Sequence, residues 1–291
     1  MAVRNGLGSV EPVAPDELSV PSDRASDGIS DGVPEAKGSQ TVAAVERAAD
    51  ILLHFTRARS ASLGITDIAS EMGLSKAAVH RVLASLRSRD LIAFDEKARR
   101  YSLGPMALVL GLTCLGRLDV REIASAELAQ LSEETGETAT LSVLAGDQRV
   151  YIDQVTPPRE VIMSVAVGVP CPLHAGSSSK VFLAFAGEAA IERYLARSLP
   201  ALTSVTVTDT DRLRRELHAI REQGWAQSAG ERQSGAASVA APVFNHLGQA
   251  VAVVSVCGPA DRFEAEADRC RAALLAATGR MSYRMGYLPG H

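Results

Sequence analysis

The chain has 291 residues, of which 46% are hydrophobic and 22% charged, and its formal net charge at pH 7 is −4. This is the composition of a soluble globular protein, and the length allows two domains that each bury a core. The sequence has no signal-peptide pattern, no bilayer-length apolar run, no C-x-x-C pair and no phosphate-cradling glycine loop, so we expect a cytoplasmic protein without metal or cofactor.

Residues 1–38 are rich in Pro, Gly, Ser and Asp, and seven acidic side chains there face three basic ones. A segment of this composition cannot bury enough apolar surface to fold alone, so we predict a disordered acidic tail. Whether the tail only remains solvated or also binds a partner stays open.

A small domain is predicted over residues 39–103, and it begins with a helix from Thr41 to Arg57. The apolar residues of this helix recur at helical spacing, which predicts one buried stripe. That stripe comprises Val42, Val45, Ala49, Leu52 and Leu53.

Two short helices separated by a glycine turn follow. Thr66 is a suitable N-cap for the first of them, Gly73 supplies the left-handed residue that ends it, and Ser75 caps the second. The second helix has one apolar face and one face of small and basic side chains, as a helix that enters the major groove requires. The apolar face comprises Val79, Val82, Leu83 and Leu86; the opposite face comprises Ala77, Arg81, Ala84 and Ser88, flanked by Lys76 and His80.

A basic hairpin completes this domain. Strands are predicted at 91–94 and 101–103 around a polar turn that carries Arg99 and Arg100. Between residues 75 and 100 seven basic side chains face three acidic ones, so positive charge is concentrated here in a chain that is negative overall. The pattern predicts a winged helix-turn-helix that binds double-stranded DNA, and an ordinary solvated helix face is the alternative. The candidate DNA contacts are Thr66, Ser75, Lys76, Ala77, His80, Arg81, Arg99 and Arg100.

Residues 104–118 are predicted to form a linker helix that starts at Gly104-Pro105 and is apolar nearly all round. Such a helix must be covered on several sides, but it is too short to cross a bilayer. Its place between two domains favours dimerisation over packing inside one chain, and a symmetric dimer would bind a pseudo-palindromic operator.

A second domain is predicted over residues 119–286, with helices and a mixed sheet in an α/β or α+β arrangement. Its predicted helices lie at 120–135, 178–186, 188–197 and 209–223, and its strands at 138–144, 149–155, 161–167, 225–229, 238–244 and 250–257. A final helix buries Phe263, Ala267, Cys270, Leu274, Ala277 and Met281.

The segment Gly176 to Lys180 opens one of these helices and allows two interpretations. A helix N-terminus offers unpaired amides and a positive dipole to an anion, so a carboxylate could bind there without any arginine. Ser177 and Lys180 also fit the S-x-x-K pattern of acyl-transfer enzymes, with His174 as a possible base. No S-D-N or K-T-G pattern follows, so a non-enzymatic chain is expected.

Several motifs together resemble the IclR family of bacterial transcriptional regulators. They are Val45-Glu-Arg-Ala-Ala-Asp-Ile-Leu, Asp67-Ile-Ala through His80-Arg81, Arg100-Tyr-Ser-Leu-Gly104, Pro172-Leu-His-Ala175 followed by Lys180, Ala240-Ala-Pro-Val243 and Ser255-Val-Cys-Gly-Pro259. The resemblance runs from about residue 40 to 285. It implies a winged helix, a linker helix and a GAF-like effector-binding domain that takes a small organic acid, in dimers that pair into tetramers, with repression as the default output.

The resemblance also places a ligand pocket between the turn after the Pro-Leu-His motif and the last strands. The residues this brings in are Ser177, Ser178, Ser228, Ser238, Ser255 and Cys257. Relatives that bind small keto acids have a glycine, an acidic residue and a cysteine where this chain has Ser177, Ser228 and Ser238, so the identity of the acid stays open. Two alternatives also stay open: the serines only cap the helix and fill strand positions, or the second domain serves only oligomerisation.

Overall fold

The structure is a computed structural model that describes residues 42–58 and 60–289. The predicted acidic tail lies outside the described residues. No helix in the described part of the chain is both long and apolar enough to cross a membrane.

The N-terminal part of the described chain is a winged helix-turn-helix, as predicted. Helices α1 (Ala43–Arg57), α2 (Ile65–Glu71) and α3 (Lys76–Arg87) precede an antiparallel hairpin of β1 (Ile92–Asp95) and β2 (Arg100–Leu103). Its core contains fully buried residues from each helix and from the wing. These are Ile51, Ile68, Val79, Leu83 and Ile92.

The residues that end α2 and begin α3 are as predicted, but the N-cap of α2 is not. Gly73 has a left-handed φ of +62°, and the Ser75 hydroxyl accepts a hydrogen bond from the Ala78 amide at 3.2 Å. The prediction that Thr66 caps α2 is wrong, because Thr66 is the second residue of the helix and the N-cap is Gly64. The Asp67 carboxylate reaches back to accept from the Gly64 amide at 3.1 Å, so the first turn is satisfied without a hydroxyl at the cap.

The predicted buried stripe of α1 is also wrong. Its members Val42 and Val45 are 64% and 65% exposed, and Ala49 and Leu53 are exposed as well. The helix buries Ile51 and Phe55 instead, with Ala48, Leu52 and Ala58 partly buried beside them. Both sets recur at helical spacing, so periodicity alone could not select the inner face.

Helix α4 (Pro105–Leu115) begins directly after the wing, as predicted. None of its residues is buried, although nearly all of them are apolar. Its exposed side chains include Leu108, Leu110 and Leu112, each more than half exposed. The expectation that a second subunit covers this helix stays a prediction.

The C-terminal part is built on a six-stranded sheet in the order β5-β4-β3-β8-β7-β6. All its neighbouring strands are antiparallel, so the expected mixed sheet is wrong and the architecture is α+β. The strands are β3 (Thr138–Ala145), β4 (Gln148–Val155), β5 (Pro170–Cys171), β6 (Ala226–Ala229), β7 (Ala236–Phe244) and β8 (Ala250–Pro259). The helices are α5 (Val120–Thr135), α6 (Ser177–Phe185), α7 (Glu188–Leu195), α8 (Thr210–Gln223) and α9 (Ala260–Arg284).

Helices cover both faces of this sheet. Helices α5 and α9 pack against inward residues of β3, β7 and β8 to form the larger core, and α6, α7 and α8 form a second core on the opposite face. The six predicted core positions of the last helix are all buried. Successive residues of each central strand therefore point alternately toward α5 and α9 on one face and toward α6, α7 and α8 on the other.

The segment 161–167 forms no strand, contrary to prediction. The backbone of Val165 bonds to the side-chain amide of Gln154 where a strand residue would bond to a neighbouring strand. The Gln154 Nε2 donates to the Val165 carbonyl at 3.0 Å, and its Oε1 accepts from the Val165 amide at 2.9 Å. The short strand β5 pairs with β4 instead, at Arg149 and Val150, and its two residues are too few to give a pattern in the sequence.

Candidate functional site

The outer face of α3 is exposed, as a recognition helix requires. Ala77, Arg81, Ala84 and Ser88 are exposed on it, and Lys76 and His80 are exposed on its flank. The opposite face buries Val79, Leu83 and Leu86, while Val82 is half-buried. A short helix held by one face and offering small and basic groups on the other can lie in a major groove.

The wing carries two arginines in different environments. Arg99 is exposed in the turn, in a left-handed conformation (φ 55°), and its guanidinium lies 5.4 Å from the Phe94 ring centroid. Arg100 is turned toward its own domain: its Nη2 donates to the Ser62 carbonyl at 2.7 Å and its Nε to the Ser62 hydroxyl at 3.0 Å. Arg99 is therefore available to a DNA backbone, whereas Arg100 holds the wing to the loop before α2.

A row of small polar side chains crosses the second face of the sheet. Ser228 pairs with Ser238, Ser238 with Cys257, and Cys257 with Thr138, on four consecutive strands. Directly paired residues of antiparallel strands project to the same side, so the row forms a continuous polar floor. Ser255, two residues before Cys257, lies on the same side and shares a hydrogen bond of 2.6 Å with Thr140.

The N-terminus of α6 lies over this floor. The Ser177 hydroxyl in its first turn is 2.7 Å from the Ser238 hydroxyl. Gly176 has a φ of +88°, and its amide donates to the Glu231 carboxylate at 3.2 Å. The next three amides, of residues 177–179, have no acceptor among the described residues, as expected for the first turn of a helix. The structure thus brings Ser177, Ser178, Ser228, Ser238, Ser255 and Cys257 to the lining of one cavity.

The cavity also contains two arginines that the sequence interpretation missed. Arg149 on β4 is 1% exposed, and its guanidinium stacks 4.0 Å from the Tyr151 ring centroid. Arg232, in the loop before β7, is half-buried and lies 5.8 Å from the same centroid. Arg149 and Tyr151 alternate with Val150 and Ile152, so the strand pattern held the signal. The short strand β5, which pairs with β4 at Arg149, was not predicted from the sequence.

The free space between these side chains is small, about 30 Å³. That volume holds only a few waters. The cavity as it stands therefore has room only for water-sized groups, and an organic acid requires a lining side chain to move. Arg232 is the side chain best able to do so, because it is half-buried and makes no hydrogen bond or ion pair with a described residue.

Cys257 at the floor of the cavity is a neutral thiol. Burial raises its pKa to about 12, although the positive charges of Arg232 and Arg149 act in the opposite direction. A thiol with so high a pKa is a poor nucleophile at neutral pH, so Cys257 lines the cavity as an unreactive group.

The groups of the acyl-transfer interpretation are engaged elsewhere. The Lys180 ammonium is buried and donates hydrogen bonds to the carboxylates of Glu216 and Glu231, at 2.6 and 2.7 Å, so it is engaged away from Ser177. His174 bonds the Tyr194 hydroxyl and the Pro200 carbonyl through its two ring nitrogens. Ser177 therefore has neither of its supposed partners within hydrogen-bond reach.

A winged helix-turn-helix with an exposed recognition face, on a chain that also carries a sheet domain with a polar cavity, defines the class of helix-turn-helix transcriptional regulators. The helix-turn-helix domain of IclR matches residues 44–96, and the C-terminal domain of bacterial transcriptional regulator IclR matches residues 112–283. The chain belongs to the IclR family of bacterial transcriptional regulators.

Individual relatives agree over nearly their whole length. The HTH-type transcriptional regulator XynR of Escherichia coli is 33% identical, over 84% of this chain and 98% of its own. Among solved structures, Pseudomonas aeruginosa HmgR is 31% identical with a TM-score of 0.75, over 86% of this chain and all of its own. An IclR regulator from Silicibacter is 27% identical with a TM-score of 0.78, over 85% of this chain and 97% of its own.

Proposed function

We propose that this regulator is a repressor that binds a pseudo-palindromic operator as a dimer, or as a pair of dimers, and that a small organic acid in the cavity controls its DNA affinity. The observation that supports the control is the meeting of α6 and the polar sheet face, where Ser177 and Ser238 share a hydrogen bond. A polar cavity beside a helix N-terminus is a suitable site for a carboxylate.

On the DNA side, we propose that Arg81 contacts a guanine edge or a phosphate and that Ala77 meets a thymine methyl group. Lys76, His80 and Arg99 contact the backbone, and Thr66 and Ser75, both exposed near the ends of their helices, add hydrogen bonds to phosphates. Phosphate contacts would supply most of the affinity and make it salt-dependent.

Control by an effector requires two states of the dimer that differ in DNA affinity. Such couplings are typically about 1–3 kcal/mol, or roughly 5- to 150-fold in affinity. In the proposed mechanism the bound acid shifts α4 and thereby the spacing of the two α3 helices. A scaffold without an effector would give the same DNA affinity under all conditions.

The experiment is a titration of the purified protein against DNA from upstream of its own gene, by fluorescence anisotropy at several salt concentrations. Each titration is repeated with small aromatic and aliphatic acids. We expect tight, salt-sensitive binding that one acid weakens. Binding that no acid alters would contradict control by an acid and favour the oligomerisation scaffold. Weak binding that is the same for every DNA sequence would contradict the proposal that the protein recognises a specific operator.

A further inference from the structure

Arg149 is a buried cation for which the described chain provides no counter-charge. No carboxylate lies within ion-pair distance of its guanidinium in the described residues, and it is 1% exposed. Its Nη1 has no hydrogen-bond partner among the described residues. Burying an unpaired charge is costly, so a feature of this kind indicates a missing anion.

The guanidinium is oriented by one hydrogen bond and one ring contact. Its Nε donates to the Ser179 hydroxyl at 2.9 Å, and its central carbon lies 4.0 Å from the Tyr151 ring centroid. Ser179 lies in the first turn of α6, whose three free amides are therefore close to the same guanidinium. A fixed cation and a helix N-terminus together form a receptor for a planar anion.

The nearby carboxylates are already paired with other cationic or donor groups. Glu231 lines the cavity, but its carboxylate accepts hydrogen bonds from Lys180 and from the Gly176 amide. Glu216 is bound by Lys180 and by Arg212. Neither carboxylate is therefore available to pair with Arg149, and Arg232 adds a second positive charge at the cavity.

We propose that Arg149 is the specificity-determining residue of the effector site and that its guanidinium binds the carboxylate of the ligand, with Ser179 as a positioning residue. This inference rests on the proposed function, because it assigns a receptor to the acid that the cavity binds. It predicts discrimination against an uncharged molecule of the same shape. Arginine, with its fork of donors, suits a carboxylate better than lysine does.

The test uses isothermal titration calorimetry on the full-length chain, with three acids and their neutral amides as probes: lactate and lactamide, benzoate and benzamide, acetate and acetamide. Inorganic phosphate is included as a tetrahedral anion. We expect at least one carboxylate to bind wild type while its amide binds at least about tenfold more weakly. Arg149→Met should abolish that binding, Arg149→Lys should weaken it, and Ser179→Ala should raise the dissociation constant severalfold.

The matched control is Arg121→Met, which removes an exposed arginine of the same domain that pairs with Asp153. Ligand affinity should be unchanged in this variant. Thermal unfolding without ligand provides a second readout: Arg149→Met should be at least as stable as wild type, because it removes an unpaired buried charge. A residue that served only the fold would give the opposite sign.

The outcomes separate the two proposals. Wild type that binds none of these probes contradicts the acid-binding site itself. Wild type that binds a carboxylate while Arg149→Met binds it equally well, or that binds the amide as tightly as the acid, overturns the role of Arg149 and leaves effector control standing. Preference for phosphate over every carboxylate overturns the ligand class. If Arg149→Met does not fold, Arg149→Lys and the acid–amide comparison still decide the question.

Discussion

The hydroxyl of Ser177 on α6 lies 2.7 Å from the hydroxyl of Ser238 on β7, and this contact joins the helix N-terminus to the polar floor of the cavity. The two residues are 61 positions apart in the chain, and each is held by a different element. Substitutions of either serine should therefore affect both ligand binding and the packing of α6 on the sheet.

Removing one hydroxyl of the pair leaves the other without its partner. We expect Ser177→Ala and Ser238→Ala each to lower the free energy of unfolding by about 1 kcal/mol, and the double variant to lose less than the sum, because no orphan hydroxyl remains. Chemical denaturation of the four proteins measures the coupling energy. Strict additivity would show that the contact contributes nothing. Ser198→Ala, at an exposed site, is the control.

Arg81 and Arg99 are expected to act differently on DNA. Arg81→Ala should cost roughly 1–3 kcal/mol and relax base preference at one position, whereas Arg99→Ala should weaken all sequences alike and reduce the salt slope by about one. Anisotropy titrations on operator and scrambled DNA separate the two effects. Arg193→Ala, an exposed arginine of the C-terminal part, is the control. Equal effects of Arg81→Ala and Arg99→Ala would refute the assigned roles.

Arg100 is expected to matter for stability more than for DNA contact. It ties the wing to Ser62, close to where Leu63 pairs with Tyr101. Arg100→Ala should destabilise the winged helix by about 1 kcal/mol, and Arg99→Ala should leave it unchanged. Limited proteolysis and thermal unfolding measure this difference. Lost DNA affinity with unchanged stability would instead identify Arg100 as a direct DNA contact.

Helix α4 is expected to mediate dimerisation, because its apolar residues have no cover in the described chain. Leu112, 57% exposed, should be buried in the dimer, so Leu112→Glu should shift the sedimentation of the protein toward the monomer. Leu247→Glu, at a site that is 66% exposed in a hairpin turn, tests an isolated apolar residue and should leave the assembly intact. An unchanged assembly in both variants would place the dimer contact elsewhere.

Cys257 is expected to resist alkylation. With a pKa of about 12, only about one Cys257 thiol in ten thousand is ionised at pH 8. Because the folded pKa lies above the ordinary value of 9.0, the stability linked to this group is complete below about pH 9 and is lost as the pH rises toward 12. Iodoacetamide labelling with peptide mass analysis should modify Cys257 far more slowly in the folded protein than in the denatured chain. Equal labelling rates of Cys257 in the folded and denatured chain at pH 8 would contradict this environment.

The amino-acid sequence by itself determined the elements whose signals are local. The glycine at 73, the hydroxyl cap at Ser75 and the apolar face of α3 predicted the helix-turn-helix, because caps and helical periodicity act within a few residues. The buried face of α9 and most strand positions followed for the same reason. The resemblance to the IclR family predicted Ser177, Ser178, Ser228, Ser238 and Ser255 as effector-site residues, and the structure places all five on the lining of one cavity.

Only the tertiary structure decided which of two equally periodic faces is buried and which distant groups meet. Helix α1 has two apolar stripes, and contact with α2, α3 and the wing selects the one that contains Ile51. Arg149 is an unremarkable strand residue in the sequence. It becomes a buried cation only because β5 and α6, both distant in the chain, close over it, and no local pattern records a contact made across such a separation.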